Sequence, residues 1–354
     1  MWIWYAMLKC VSAVILGLGM LSVSMVSAQE KVRPQSFKVL GSFANLSPFL
    51  KYEQPFWSKT LTEKSGGAIK SDIRPHTELG LKGFEILRLL NLGVFDFGHV
   101  VIGYVASDNP AFEGLDLAAL TQDFQSQRAI SEAYKQVLEP LLEKKHGVKL
   151  LGLNPYPSQM FFCRSEIKSL ADLKGKKVRV YSATLGDFVE GVGGISVTIP
   201  FPEVVPALEK GTIDCGIGGG STAFAGKWYE VAKSIYGMRV GYGMGMILAN
   251  LRTWNNLDQG TKNLILTEMK AYEDRMWRGI ALEDQEGLDC NVGKACTLGK
   301  PGNMTYQAPS AEDLKQRGEI LKNFVVKRWA QRCGKECTQE WGKTIGRQLD
   351  IAVP

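Results

Sequence analysis

The sequence predicts an α/β protein with two domains. From residue 36 onward, short runs rich in β-branched and aromatic residues alternate with helical stretches, which is typical of α/β layers. A strand, a short helix and a second strand follow one another within residues 195–217 and indicate a compact parallel crossover. A helical pattern over residues 258–286 would be on the order of 40 Å long, longer than one small domain is wide. A chain of 354 residues is long enough for two domains, which this helix would join.

The first 28 residues have the pattern of a secretory signal peptide. Lys9 precedes an uncharged, largely apolar run from Cys10 to Ala28, and small residues at its end suit cleavage after Ala28. We therefore predict an exported protein. An uncleaved membrane anchor is the alternative, because the run is nearly long enough to span a bilayer.

Nine segments after this leader have the composition of strands. They are SFKVL, AIKSDI, VFDFGHVV, GVKLLGL, QMFFC, KVRVY, ISVTI, TIDCGI and GMILAN. Helices are predicted for the stretch that ends at Gly66, for FEILRLLNLG and for PFPEVVPALEKG. Each of these stretches closes with a glycine that can end a helix.

A long helix is predicted from about Asp258 to Glu286, because apolar residues recur from Ile265 to Ile280 at spacings of four and three. After Leu288 the chain contains a cysteine-rich tail. A second amphipathic helix is predicted there, beginning at Ser310 and covering residues 310–337.

Six cysteines follow the leader, and an oxidising compartment would favour disulfides. Two pairs are close in sequence and a third pair is distant: Cys290 with Cys296, Cys333 with Cys337, and Cys163 with Cys215. Six cysteines allow many connectivities, so this pairing is one of several. A zinc site is disfavoured, because the three histidines are isolated and no CxxC motif occurs.

Charge and motifs also bear on function. The net charge is +6, and it falls to +5 when the leader with Lys9 is removed. The basic runs KGKK and EKKH contain no aromatic residues. Neither the charge nor these runs indicates nucleic-acid binding. The chain has no GxSxG or HExxH motif, so nothing in it requires catalysis. The glycine cluster DCGIGGGST could let a ligand approach the backbone, but a sharp turn without a ligand explains it equally well.

The stretch SLADLKGKKVRVYSATLGDFVEGVGGISVTIPFPEVVPALEKGTIDCGI resembles the solute-binding proteins of tripartite ATP-independent periplasmic (TRAP) transporters, of the dicarboxylate-binding, DctP-like family. The matching positions are Asp172, Leu173, Gly175, Arg179, Gly194, Pro200, Glu203, Val204, Ala207, Leu208, Gly211 and Asp214. With FWSKTLTEKSGGAI upstream and TWNNL downstream, the likeness covers most of residues 36–285.

The resemblance implies a two-lobed clamp of the periplasmic-binding-protein type, with mixed sheets and a long helix spanning both lobes. Lobe 1 would comprise residues 36–154 and 246–270, and lobe 2 would comprise residues 155–245 and 288–354. The helix that spans both lobes would comprise residues 258–286. Such a protein captures a carboxylate-bearing small molecule in the periplasm and delivers it to membrane permease subunits. It is expected to be a monomer, to need no cofactor and not to be an enzyme.

The resemblance also implies a binding site. Arg179 would face the cleft, where its planar guanidinium could donate two parallel hydrogen bonds to a ligand carboxylate; the alternative is an ion pair within the protein. Phe201, and Phe43 after the first strand, would cover the apolar part of the ligand. Gln159 stands where many members have a second arginine, and Gly218 where they often have asparagine. These departures favour a monocarboxylate or a bulkier acid, with extra space beside residues 218–220.

Two other functions remain open at this stage. A sensor could use the same clamp and dock onto a receptor. An enzyme on this fold would need convergent titratable groups, for which His76 and Glu78 are the candidates.

Overall fold

The computed structural model describes residues 32–353, and the predicted signal peptide lies outside this range. The described residues form ten strands: β1 (Gln35–Gly41), β2 (Ile69–Pro75), β3 (Phe97–Val101), β4 (Val148–Cys163), β5 (Lys177–Val180), β6 (Ile195–Thr198), β7 (Cys215–Gly219), β8 (Ser234–Tyr236), β9 (Tyr242–Asn250) and β10 (Thr305–Gln307).

The α-helices of the same range are α1 (Leu61–Lys64), α2 (Ile86–Asn91), α3 (Ile102–Val105), α4 (Phe124–His146), α5 (Ala183–Gly191), α6 (Val204–Glu209), α7 (Gly220–Ala225), α8 (Leu251–Asn256), α9 (Gln259–Asn291), α10 (Ala311–Ile320), α11 (Val326–Cys333), α12 (Lys335–Trp341) and α13 (Arg347–Leu349). Short π-helical segments cover Pro48–Glu53, Phe56–Thr60, Leu321–Val325 and Gly342–Gly346. Short 3₁₀ turns cover His76–Leu79, Pro110–Leu115, Leu170–Leu173, Phe201–Glu203 and Trp228–Glu230.

The strands form a mixed sheet in the order β2-β1-β3-β9-β4-β7-β5-β6, with β8 between β4 and β10. β1 is parallel to β2 and β3, and β5 is parallel to β6 and β7. The antiparallel strands β9 and β4 lie between these two parallel sets. The α/β class and the mixed sheet are thus confirmed.

The long strand β4 connects the two parallel sets. Its first part pairs with β9, and residues 159–163 pair with β7. The pairing with β9 shifts register between Pro155 and Ser158, where prolines interrupt the ladder. The sequence predicted two strands here, GVKLLGL and QMFFC. The structure corrects this to a single strand, because the proline-containing segment between them stays extended.

Helix α9 confirms the predicted long helix and extends it to Asn291. Its first turn is capped by Asp258, whose side chain accepts a hydrogen bond of 2.9 Å from the Thr261 backbone N–H. Its apolar face is buried in one hydrophobic core together with Phe56 and Trp57. Towards its end the helix reaches β4, because Asp284 accepts a hydrogen bond of 2.7 Å from the Ser158 backbone N–H.

The C-terminal helices differ from the single helix predicted over residues 310–337. Ser310 caps α10 as expected, but Gly334, with φ of 81°, ends α11, and α12 starts after it. These helices contact two other parts of the protein. Trp329 Nε1 donates to the Pro110 carbonyl at 2.8 Å, and Arg332 forms a two-pronged ion pair with Asp187 in α5.

The 23-residue helix α4 and the three-residue strands β8 and β10 are among the elements that were not predicted from the sequence. Three disulfides are present, with Cα separations of 4.0, 4.8 and 5.6 Å: Cys163–Cys215, Cys290–Cys296 and Cys333–Cys337. None of the helices within residues 32–353 is long and apolar enough to cross a membrane.

Candidate functional site

A cavity lies at the carboxyl ends of the parallel strands, where ligands commonly bind in α/β proteins. It encloses a space of about 400 Å³ that includes its opening to solvent. Its walls are mostly apolar or aromatic. The lining residues are Phe43, Leu46, Val101, Tyr104, Tyr156, Gln159, Arg179, Tyr181, Phe201, Gly218, Thr222 and Gly243. All five residues predicted for the site, from positions as distant in sequence as 43 and 218, are therefore in one cavity.

Arg179, in β5, has a side chain that is almost completely buried, with 2% of its surface exposed. Its Nε donates to the Ile199 carbonyl and its Nη1 to the Ile217 carbonyl, both at 2.8 Å. Among the described residues, no carboxylate forms an ion pair with this guanidinium. Burial lowers the pKa of Arg179 from its ordinary value, because the charged form loses hydration. The ion pair within the protein that was the alternative for Arg179 is absent from the described structure.

Two tyrosines that the sequence analysis missed surround this guanidinium. The Tyr104 hydroxyl accepts a hydrogen bond of 2.8 Å from the Phe201 backbone N–H and a longer one of 3.4 Å from Arg179 Nη2. The Arg179 guanidinium also lies 5.2 Å from the centroid of the Tyr181 ring. Tyr181 could have been found, because it is two residues beyond Arg179 and alternate residues of a strand share a face. No comparable signal marks Tyr104.

An aromatic cluster lies at another part of the wall, where it includes the lining residues Phe43 and Phe201. Phe43 packs edge to face against Phe201, with a centroid distance of 5.3 Å, and against His76, at 4.7 Å. Phe201 in turn lies 5.9 Å from Trp228. Such a surface suits the apolar body of a ligand.

Gln159 begins the part of β4 that pairs with β7, and its side chain lines the cavity with 4% of its surface exposed. Its Nε2 donates to the Pro157 carbonyl at 2.7 Å. This bond fixes the amide plane, because the NH₂ end is held by the backbone.

The expectation of extra space beside residues 218–220 is wrong. A Cβ atom on Gly218 would lie 2.6 Å from Cη2 of Trp228, and one on Gly219 would lie 2.7 Å from Cβ of Pro157. At Gly220 it would lie 2.8 Å from the Leu288 backbone nitrogen in α9. These glycines therefore allow close packing, and the indole of Trp228 fills the volume that a side chain at Gly218 would occupy.

The two candidates for an enzyme do not line the cavity. His76 is buried behind Phe43, with its Nδ1 3.3 Å from the Gly41 carbonyl oxygen, and Glu78 is exposed. In the described part of the chain, no three His, Cys, Asp or Glu residues are grouped as a metal site would require.

Comparison with known proteins identifies the family to which the chain belongs. The sequence model of one protein family, described as bacterial extracellular solute-binding protein, family 7 (DctP), matches residues 43–325. The C4-dicarboxylate-binding periplasmic protein DctP of Rhodobacter capsulatus is 26% identical over 78% of this chain and 81% of that protein. The uncharacterized protein YiiZ of Salmonella typhimurium is 27% identical, but the match spans only 49% of this chain and 54% of that protein.

Solved structures share the fold. DctP6 of Bordetella pertussis, an extracytoplasmic solute receptor that binds pyroglutamic acid, has a TM-score of 0.79 at 24% identity, covering 89% of this chain and 100% of that one. A TRAP periplasmic solute-binding protein of Desulfovibrio salexigens, solved with orotic acid, has a TM-score of 0.79 at 18% identity, covering 89% and 98%. The family match over most of the chain confirms the resemblance noted in the sequence, and the chain belongs to the bacterial extracellular solute-binding protein family 7.

Proposed function

We propose that this protein captures a small organic monocarboxylate in the periplasm and delivers it to the membrane permease subunits of a TRAP transporter, without catalysis. In this proposal the signal peptide of residues 1–28 directs export and the mature protein is a monomer. The observation that carries the proposal is the buried guanidinium of Arg179, which lines the cavity without a carboxylate partner in the described residues.

The hydrogen bonds of Arg179 indicate how a ligand would bind. A guanidinium has five N–H donors. Its Nε–H and one N–H of Nη1 go to backbone carbonyls, and one N–H of Nη2 points to Tyr104. One donor is therefore left on each Nη atom. We infer that these two donors are available to the oxygens of a ligand carboxylate.

The remaining cavity wall favours one carboxylate per ligand. Arg179 is the only cationic side chain among the residues that line the cavity within the described structure. A second carboxylate would lose hydration without gaining a charged partner, which is costly. Pyroglutamic acid and orotic acid, bound by the Bordetella and Desulfovibrio proteins, each carry a single carboxyl group on a flat ring. An acid of that shape would place its ring against the surface that Phe43 and Phe201 form together.

Binding would stabilise a closed arrangement of two lobes. We assign residues 36–154 and 246–270 to one lobe and residues 155–245 and 288–354 to the other, with residues 258–286 as the helix spanning both. Cavity residues come from both sets, since Phe43 and Tyr104 belong to the first and Arg179 and Phe201 to the second. A ligand that touches both sets favours the state in which they are close together.

A thermal-shift panel on purified residues 29–354 tests the proposal. The panel contains pyroglutamate, orotate, succinate, a neutral sugar and a neutral amino acid. A ligand at a hundredfold excess over its dissociation constant adds about 2.7 kcal/mol to the free energy of unfolding, which is a readily visible shift.

We expect a monocarboxylate to give the largest shift and Arg179→Ala to abolish it. Arg252→Ala is the matched control, because Arg252 is exposed, does not line the cavity and donates a long hydrogen bond of 3.4 Å to the Leu92 carbonyl. A response to neutral solutes, or a shift by acids that survives Arg179→Ala, would show that Arg179 has a structural role only.

A further inference from the structure

A buried carboxyl group lies directly behind the cavity wall. Glu53, at the end of the π-helical segment Pro48–Glu53, has 1% of its surface exposed. Its Oε2 accepts a hydrogen bond of 2.7 Å from the Ser42 backbone N–H. Ser42 follows β1 and immediately precedes Phe43, which lines the cavity. Glu53 therefore holds the backbone that presents Phe43.

No cation compensates this carboxyl group within the described structure. His99 Nδ1 is 3.6 Å from Glu53 Oε1, but Trp57 Nε1 donates to His99 Nε2 at 2.8 Å. Because Nε2 acts as an acceptor, the single ring proton is assigned to Nδ1 and the imidazole is neutral. Burial lowers the pKa of His99 to about 3, so the ring stays neutral at physiological pH.

The other groups around Glu53 are also uncharged at neutral pH. Tyr156 in β4 and Tyr272 in α9 face it, with Tyr52 on its own segment, and burial raises the pKa of each hydroxyl above its usual value. His76, beside Gly41 at the end of β1, has its pKa lowered by burial. Desolvation of this kind raises the pKa of Glu53 to about 7.

Several polar atoms in this cluster lack partners. Ser42 Oγ, Glu53 Oε1, His99 Nδ1 and Tyr272 Oη are buried without a hydrogen bond to any described group. A protonated Glu53 can serve as a donor through Oε1 while Oε2 still accepts from Ser42. An ionised Glu53 can only accept, and its charge would then be buried beside the cavity.

We propose that Glu53 is a positioning residue of the ligand site that carries a proton when the acid is bound, so that ligand capture is coupled to proton uptake. This inference rests on the proposed function, since it requires an anionic ligand. Ionised Glu53 would repel the ligand carboxylate across the wall formed by Phe43 and Tyr156, and in this poorly hydrated region the repulsion is only weakly screened. Protonation removes the repulsion and keeps the hydrogen bond to Ser42.

The experiment is calorimetric titration of residues 29–354 with the acid that gives the largest thermal shift in the panel, pyroglutamate being the first titrant. At about pH 8, where unliganded Glu53 is largely ionised, the titration is repeated in two buffers with different heats of ionisation. We expect the binding heat of the wild type to depend on the buffer, because the buffer releases the proton that the protein takes up. The binding heat of Glu53→Gln should be the same in both buffers. Glu63→Gln, which changes an exposed carboxyl group, should behave as the wild type.

Affinity provides the second measurement. Between about pH 6 and pH 9 the wild type should lose affinity on the order of tenfold, and Glu53→Gln should stay flat. A binding heat that is independent of the buffer in the wild type overturns the proposal even if Glu53→Gln fails to fold. Parallel pH profiles of the wild type and Glu53→Gln overturn it as well. Failure of the proposed function is recognised separately, because acid binding would then be unaffected by Arg179→Ala.

Discussion

The packing of Trp228 onto Gly218 can be tested by a double-mutant cycle. Gly218→Ala would place a Cβ atom 2.6 Å from Cη2 and 2.8 Å from Cζ3 of the indole, well inside the separation of about 3.5–4.0 Å that carbon atoms prefer. Trp228 has 1% of its surface exposed and packs against Phe162 at a centroid distance of 5.4 Å, so the indole has no free space to move into. Overpacking of this kind costs about 1–3 kcal/mol.

Trp228→Phe removes the ring atoms that meet the new Cβ. Alone, it should lower the free energy of unfolding by about 1–3 kcal/mol, because it leaves a small cavity. Together, the two substitutions should cost at least about 1 kcal/mol less than the sum of the single effects, since the added methyl fills part of the vacated space.

Urea denaturation of the four proteins measures this coupling. The control is Gly318→Ala, in helix α10, where no heavy atom lies within 4 Å of the added Cβ. It should stabilise the protein by about 0.5–1 kcal/mol and be additive with Trp228→Phe. Additivity of Gly218→Ala and Trp228→Phe to within about 0.5 kcal/mol would refute the packing argument.

Three further predictions concern stability and covalent structure. Because the folded-state pKa of Glu53 is raised from 4.5 to about 7, the folded protein holds a proton that the unfolded chain releases. Glu53 should therefore contribute a fall of about 3 kcal/mol in the free energy of unfolding as pH rises from about 4.5 past 7, measured as the difference between the pH profiles of the wild type and of Glu53→Gln in denaturation experiments. Arg332→Met removes the hydrogen bonds of 3.1 and 2.6 Å to Asp187. It should lower the free energy of unfolding by about 1–2 kcal/mol in denaturation experiments, an effect limited by the partial exposure of Arg332. The loss for Arg332→Lys should lie between those of the wild type and Arg332→Met. Thiol counting on the purified protein of residues 29–354, unfolded without a reducing agent, should find no free thiol. Two or more free thiols per chain would contradict the three disulfides.

Regular hydrophobic spacing made some elements predictable. The apolar residues of α9 recur over many turns, and the cap at Asp258 precedes them directly, so both the existence and the start of this helix follow from the sequence. The break at Gly334 was missed because the amphipathic pattern continues across it. The continuity of β4 was missed because Pro155 and Pro157 lie between the two predicted strands and cannot donate to a ladder, although the chain tolerates them where the ladder shifts register.

The site was only partly predictable, for a different reason. Arg179 and Phe201 were assigned by family resemblance, and strand alternation could have added Tyr181. Tyr104 belongs to helix α3 and meets Arg179 only through the order of the strands, so local sequence contains no trace of the contact. The role of Gly218 was misjudged because it depends on Trp228, a residue just beyond helix α7 whose indole occupies the missing side-chain volume.

The hydrogen bonds and charges of the cavity together limit which ligands could bind. The Ile199 and Ile217 carbonyls hold the Arg179 guanidinium in one plane, so its charge cannot follow a ligand that binds in another orientation. The aromatic wall supplies no second cation, and an ionised Glu53 behind it would add a negative charge. A ligand with a second carboxylate near Phe43 would therefore meet apolar surface at any pH and repulsion once Glu53 ionises. An acid with one carboxylate and a compact ring satisfies the two free donors of Arg179 and leaves no charge against that wall.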